Sequence, residues 1–114
     1  FYNKGMQKVN AGDFVEAIRW FTKAIRNDSS MVLAYLNRGH AKTKLMDYKS
    51  AIDDYNRAIK IKNLSWEESY EAYFNRGIAL AALEQMQSAL ANFNQAIRLS
   101  PQYADAYYNR SILR

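Results

Sequence analysis

The chain of 114 residues is long enough for one domain or a few modules of an array, and it is 49% apolar and 24% charged, the profile of a folded protein. Four glycines and one proline disfavour a loop-rich β fold, and zero cysteines exclude disulfides, a thiolate nucleophile and a cysteine-based zinc site in this chain. The formal charge of +5 is uneven: residues 1–62 carry twelve Lys/Arg against six Asp/Glu, residues 63–114 four against five.

No apolar run approaches a bilayer span and no signal-peptide pattern opens the chain. It lacks an initiator Met and starts inside a recurring phrase, so a fragment of a longer protein is the expectation. The missing cysteines and targeting signal give a cytoplasmic location as the expectation.

The first element opens on Phe1-Tyr2-Asn3-Lys4-Gly5, which returns as Tyr35-Leu36-Asn37-Arg38-Gly39, Tyr73-Phe74-Asn75-Arg76-Gly77 and Tyr107-Tyr108-Asn109-Arg110-Ser111. Its steps are 34, 38 and 34 residues. A second phrase begins at Ala17, Ala51 and Ala89, with Phe21, Tyr55 and Phe93 and then Ala24, Ala58 and Ala96; it takes the same steps of 34 and 38. Self-similarity at this spacing is the mark of a repeat architecture. The divisions are 1–31, 32–69, 70–103 and a partial fourth, 104–114.

Both phrases have helical period. Each repeat therefore holds two helices, A ending near Ala11, Leu45 and Leu83, and B near Asn27, Lys60 and Leu99. Gly12 is placed to stop the first A helix, and Asp13 with Glu16 to form a capping box at the first B helix. Asp47 is placed to cap the second B helix, and Ser100-Pro101 has the pattern of a fourth A-helix start. The four extra residues of the 38-residue step fall between Ala58 and Tyr73. Ser65 and Glu68 predict another capping box there, with the third A helix beginning a turn early at Trp66 and running to Glu84.

A small residue in helix A facing an Ala-aromatic-Ala helix B, at a 34-residue period, resembles the tetratricopeptide repeat along the whole chain. The resemblance implies an all-α, right-handed superhelical solenoid of antiparallel helix pairs, with stacked A helices lining a groove that receives a peptide or helix of a partner protein. It departs from the family where Lys4, Arg38, Arg76 and Arg110 replace a leucine, and where Ser29 and Asn63 replace a proline. Gly5, Gly39, Gly77 and the helix B alanines allow close backbone approach, the aromatics fill the space beside them, and Ala104–Arg114 would cover the third repeat.

Catalytic chemistry has little to stand on. His40 is the single histidine, no phosphate loop or nucleophile elbow is present, and no metal or cofactor is expected. Asp53-Asp54 and Glu67-Glu68 are neighbours about 100° apart on a helix, which suits solvated faces better than convergence on one atom. The outer faces of the first two B helices are basic (Arg19, Lys23, Arg26, Lys49, Arg57, Lys60), but the third offers Gln87, Ser88, Asn94 and Gln95 with Arg98. A nucleic-acid track would continue across every repeat with stacking aromatics, so nucleic acid is the weaker partner. No membrane partner is expected.

The outward A-helix stripe points instead to protein binding. Asn37 lies about 200° from both Tyr35 and Gly39, as Asn3, Asn75 and Asn109 do from their equivalents. Asparagine costs a helix interior roughly 0.5 kcal/mol, and its carboxamide can hold a peptide C=O and N–H together. Alternatively, each asparagine bonds a neighbouring A helix and sets the superhelix pitch. The candidate site is Asn3, Met6, Leu36, Asn37, His40, Phe74, Asn75, Ile78, Tyr108, Asn109 and Ile112. Chaperone adaptors of this family clamp a terminal carboxylate with bases and asparagines; here Tyr2, Met6, Glu71 and Asn75 occupy four of those positions and only Asn37 conforms, so such a clamp is not expected. The bases beside the asparagines are placed to reach a helix B carboxylate such as Asp54. A spacer or self-association segment is the alternative function.

Overall fold

The computed structural model describes residues 1–99 as six helices and no strand: α1 (Tyr2–Asn10), α2 (Phe14–Asn27), α3 (Val32–Lys44), α4 (Tyr48–Ile59), α5 (Trp66–Ala82) and α6 (Met86–Leu99). The expected Ser100-Pro101 cap, the covering segment from Ala104, and Tyr108, Asn109 and Ile112 lie outside the described residues. Pairs α1/α2, α3/α4 and α5/α6 pack together, and α2 and α4 each join their pair to the next A helix. The fold is the expected right-handed solenoid of antiparallel helix pairs. Among the described residues, no helix is long and apolar enough to cross a membrane.

Its core repeats with the sequence. Ala17, Ala51, Ala89, Phe21, Tyr55, Phe93, Ala24, Ala58 and Ala96 are all buried. A Cβ on Gly5 would come within 2.4 Å of Phe21, on Gly39 within 2.7 Å of Tyr55, and on Gly77 within 2.8 Å of Phe93. Glycine is required there by the approach of an aromatic ring, whereas the helix backbone itself would favour alanine.

The A-to-B turns also repeat. After α1, the Gly12 N–H donates to Val9 O (2.9 Å) and the Asp13 N–H to Lys8 O (2.8 Å), the two bonds of a Schellman motif. Met46 and Asp47 make the same pair after α3, and Glu84 and Gln85 after α5. The left-handed position is Gly12 (φ 77°) in the first turn but Met46 (φ 62°) and Glu84 (φ 63°) in the others. Three expectations are corrected here. The Asp13–Glu16 box is half formed: Asp13 Oδ1 accepts from the Glu16 N–H at 3.2 Å, while the Asp13 N–H is spent on Lys8 O and the Glu16 carboxylate accepts from Arg19. Asp47 sits at the N-cap of α4 without a side-chain cap bond. α5 stops at Ala82, short of Glu84, because Glu84 has turned left-handed.

The early start of α5 matches expectation. Ser65 Oγ accepts from the Glu68 N–H (3.1 Å) and the Ser65 N–H donates to Glu68 Oε1 (2.9 Å). α5 has 17 residues against 13 in α3, so the four-residue step lengthens a helix by about one turn.

Candidate functional site: the face of the A helices

Helix A side chains facing away from their B partner gather along α1, α3 and α5. Asn37 Nδ2 donates to Leu33 O at 2.8 Å and, across to α1, to the Tyr2 hydroxyl at 2.9 Å. Asn75 Nδ2 donates to Glu71 O, one turn back on its own helix, at 2.8 Å. Among the described residues neither carboxamide oxygen accepts a hydrogen bond, so each Oδ1 is the atom left for an N–H donor. For Asn37 the role of tying adjacent A helices is realised; among the described residues Asn75 shows no such tie.

Around them, Met6, His40, Phe74 and Ile78 are half-buried and Asn3 is exposed. Phe74 stacks on Tyr70 (centroids 5.6 Å apart, 9° between planes) and meets Phe93 in a tilted contact. Leu36 does not belong to this surface. It is 1% exposed and packs in the core with Ala24, Ile25 and Ala72, since α5 closes over a position that looks free when α3 and α4 are considered alone.

Burial, then the Glu68 charge, raises the Glu71 carboxyl; its surface still meets solvent, but neighbouring atoms crowd it. Burial first, and Glu71 second, raise the Tyr2 phenol. His40 is lowered by burial and then by Lys44, which favours neutral imidazole. Among the described residues no group of three or more His, Cys, Asp or Glu could hold a metal.

The bases beside the asparagines face elsewhere. Arg38 Nε and Nη2 donate to Asp54 Oδ2 and Oδ1 at 2.9 and 2.6 Å, and Nη1 donates to Thr22 Oγ1 at 3.2 Å. One guanidinium thus joins α3 to α4 of its own repeat and to α2 of the preceding one. Lys42 Nζ adds a second contact to Asp54 at 3.0 Å. Asp54 is 1% exposed, which corrects the solvated-face reading of Asp53-Asp54 for its second member. Arg76 repeats the geometry with neutral partners: Nε donates to Asn92 Oδ1 (2.6 Å) and Nη1 to Asn56 Oδ1 (2.8 Å). Burial lowers the Arg76 pKa, with the nearby Tyr73 opposing. Sequence reasoning found the Asp54 contact but missed the reach to the preceding B helix. Its signal was present, because Thr22 and Asn56 stand one 34-residue repeat apart.

Comparison with known proteins agrees with this geometry. The family model for the tetratricopeptide repeat matches residues 32–62 and 70–103, more than half of the chain, and the chain belongs to that family. It is 34% identical over 59 residues to stress-induced-phosphoprotein 1 of Caenorhabditis elegans, a match covering 52% of this chain and 18% of that protein. It is 34% identical over 59 residues to human sperm-associated antigen 1, covering 52% and 6%. The matched segment is thus a small part of these relatives. Among solved structures, the first TPR of Spaghetti (RPAP3) bound to the HSP90 peptide SRMEEVD superposes with a TM-score of 0.91 at 26% identity, covering 98% of this chain and 86% of that one. The Arabidopsis OM64 TPR domain gives 0.91 at 27% identity, covering 99% and 90%. The fold is that of a protein-interaction module, a class not typically enzymatic.

Proposed function

We propose that this chain binds an extended peptide segment of a partner protein along the face of α1, α3 and α5, without clamping a terminal carboxylate. The observation that carries the reading is the pair Asn37 and Asn75, whose Nδ2 atoms are held on carbonyls one turn back. Each carboxamide is thereby oriented before a ligand arrives, which lowers the entropy lost on binding. Met6, His40, Phe74 and Ile78, half-buried around them, supply apolar contact for anchor residues. A peptide-binding role is supported by the similar structures, of which the first TPR of RPAP3 carries an HSP90 peptide and the second TPR of human RPAP3 an HSP70 peptide, SGPTIEEVD.

The chemistry of this face disfavours a carboxylate clamp. Tyr2 and Asn37 are bonded to each other, and Glu71 places a carboxylate beside them. An incoming terminal carboxylate would meet a like charge. The test compares SRMEEVD with a free C-terminus and with an amidated one: similar, weak affinities are expected, and strong preference for the free acid overturns the clamp-free reading. With an authentic partner peptide, Asn37→Ala combined with Asn75→Ala should weaken binding while helicity stays nearly unchanged and stability falls only by about the 1 kcal/mol of the lost Asn37–Tyr2 bond. Unaltered affinity would leave these asparagines a structural role only.

A further inference from the structure

The first and third repeats each have an outer crevice between their A and B helices, and the two differ in charge. In the first repeat a crevice of about 260 Å³ is lined by Lys4 and Lys8 of α1 and by Glu16, Arg19, Trp20 and Lys23 of α2. In the third, Tyr73, Arg76, Ala91, Asn92 and Gln95 line a crevice at the equivalent place. The sequence register makes the contrast physical. Lys4, Arg38 and Arg76 are equivalent, as are Trp20, Asp54 and Asn92. Where Arg38 meets a carboxylate and Arg76 a carboxamide, Lys4 lies over the Trp20 ring, 5.9 Å from its centroid, with Lys23 at 4.5 Å.

The first crevice therefore holds four bases and one acid. Its counterpart positions in the second repeat (Arg38, Lys42, Ser50, Asp53, Asp54 and Arg57) hold three bases and two acids. Glu16 is engaged by Arg19 at 3.3 Å, and no carboxylate stands where Asp54 neutralises Arg38 and Lys42. Lys4 and Lys23 are exposed, so their charges are available to a partner. An aromatic ring under two ammonium groups limits where they can go, leaving fixed positive charge around a concave surface.

We propose that this crevice is a second binding site, separate from the A-helix face, for an acidic segment of a protein partner. Carboxylate side chains of that segment would pair with Lys4, Lys8 and Lys23, supplying the counter-charge that Asp54 gives inside the second repeat. Lysine ammonium groups are compact point charges without the planar fork of a guanidinium, which suits a run of Asp and Glu more than one planar group of fixed orientation.

The test uses the full chain in a Trp66→Phe background, so that emission reports Trp20, and a short alternating Glu-Ala peptide blocked at both ends. Titration should shift Trp20 emission, and raising the salt concentration should weaken binding by screening. Lys8→Glu with Lys23→Glu should lower affinity by roughly tenfold or more. Arg57→Glu with Lys60→Glu, the same charge change on α4, should leave it within about twofold. Equal losses in both variants would mean that net charge rather than the crevice binds, and would overturn the proposal. So would a single-stranded oligonucleotide that binds more tightly than the peptide and is lost with the same reversal. If the reversal impairs folding, Lys8→Gln with Lys23→Gln takes its place under the same criteria. Asn37→Ala with Asn75→Ala should leave this binding intact, so failure at one site is distinguishable from failure at the other.

Discussion

The second and third repeats solve one packing problem with different chemistry. Both send an arginine from helix A to their own helix B and to the helix B before it. In the second repeat the receiving group is the buried carboxylate of Asp54, shared by Arg38 and Lys42. In the third it is the Asn92 carboxamide, anchored by its own Nδ2 bond to Ser88 O at 2.8 Å. A buried carboxylate is costly to leave unpaired and valuable to two bases; a carboxamide is cheaper to bury but leaves the arginine charge unbalanced, consistent with the lowered Arg76 pKa. The repeat therefore conserves a geometry of connection between helices more strictly than the charge that makes it.

Removing the receiving groups tests this contrast most directly. Asp54→Ala strands two bases at a buried site and should cost about 3–5 kcal/mol, read as a lower urea midpoint. Asn92→Ala removes one acceptor from a guanidinium that can still reach Asn56 and solvent, and should cost about 1.5 kcal/mol. Equal losses in the two variants would show that charge is irrelevant to the brace.

The turns and the wedge residues extend the comparison with smaller effects. The first turn has glycine at its left-handed position and the second has Met46. Met46→Gly should raise stability by about 1 kcal/mol, seen as a higher melting temperature; the same substitution at an ordinary helical position would lower it.

Tyr55 stands where the flanking repeats have Phe21 and Phe93. Its phenol is pushed up to about 12, chiefly by burial against the lowering effect of the Thr43 hydrogen bond, with Glu71 and Asp54 adding to the rise. A raised folded-state pKa means that Tyr55 loses its proton first in the unfolded chain. Its contribution to stability is therefore complete below about pH 10 and is lost as pH climbs towards the folded value of about 12. Tyr55→Phe should lose about 1 kcal/mol at neutral pH, yet fall less steeply than the parent in melting temperature between those limits.

Periodicity in the sequence determined the repeat register, the glycine–aromatic pairs and the position of α5. Each depends on spacing within a helix or on a local cap: Gly39 and Tyr55 occupy fixed places in their phrases, and Ser65 meets Glu68 three residues away. Tertiary structure decided what a third helix does to a pair. Leu36 shares a helical face with solvent-facing neighbours until α5 covers it, Asp54 resembles Asp53 until Arg38 and Lys42 enclose it, and Asn37 gains its Tyr2 contact only when α1 lies beside α3. A helical period assigns residues to faces, but burial depends on where the next helix crosses that face, and that crossing is set by the packing of whole repeats.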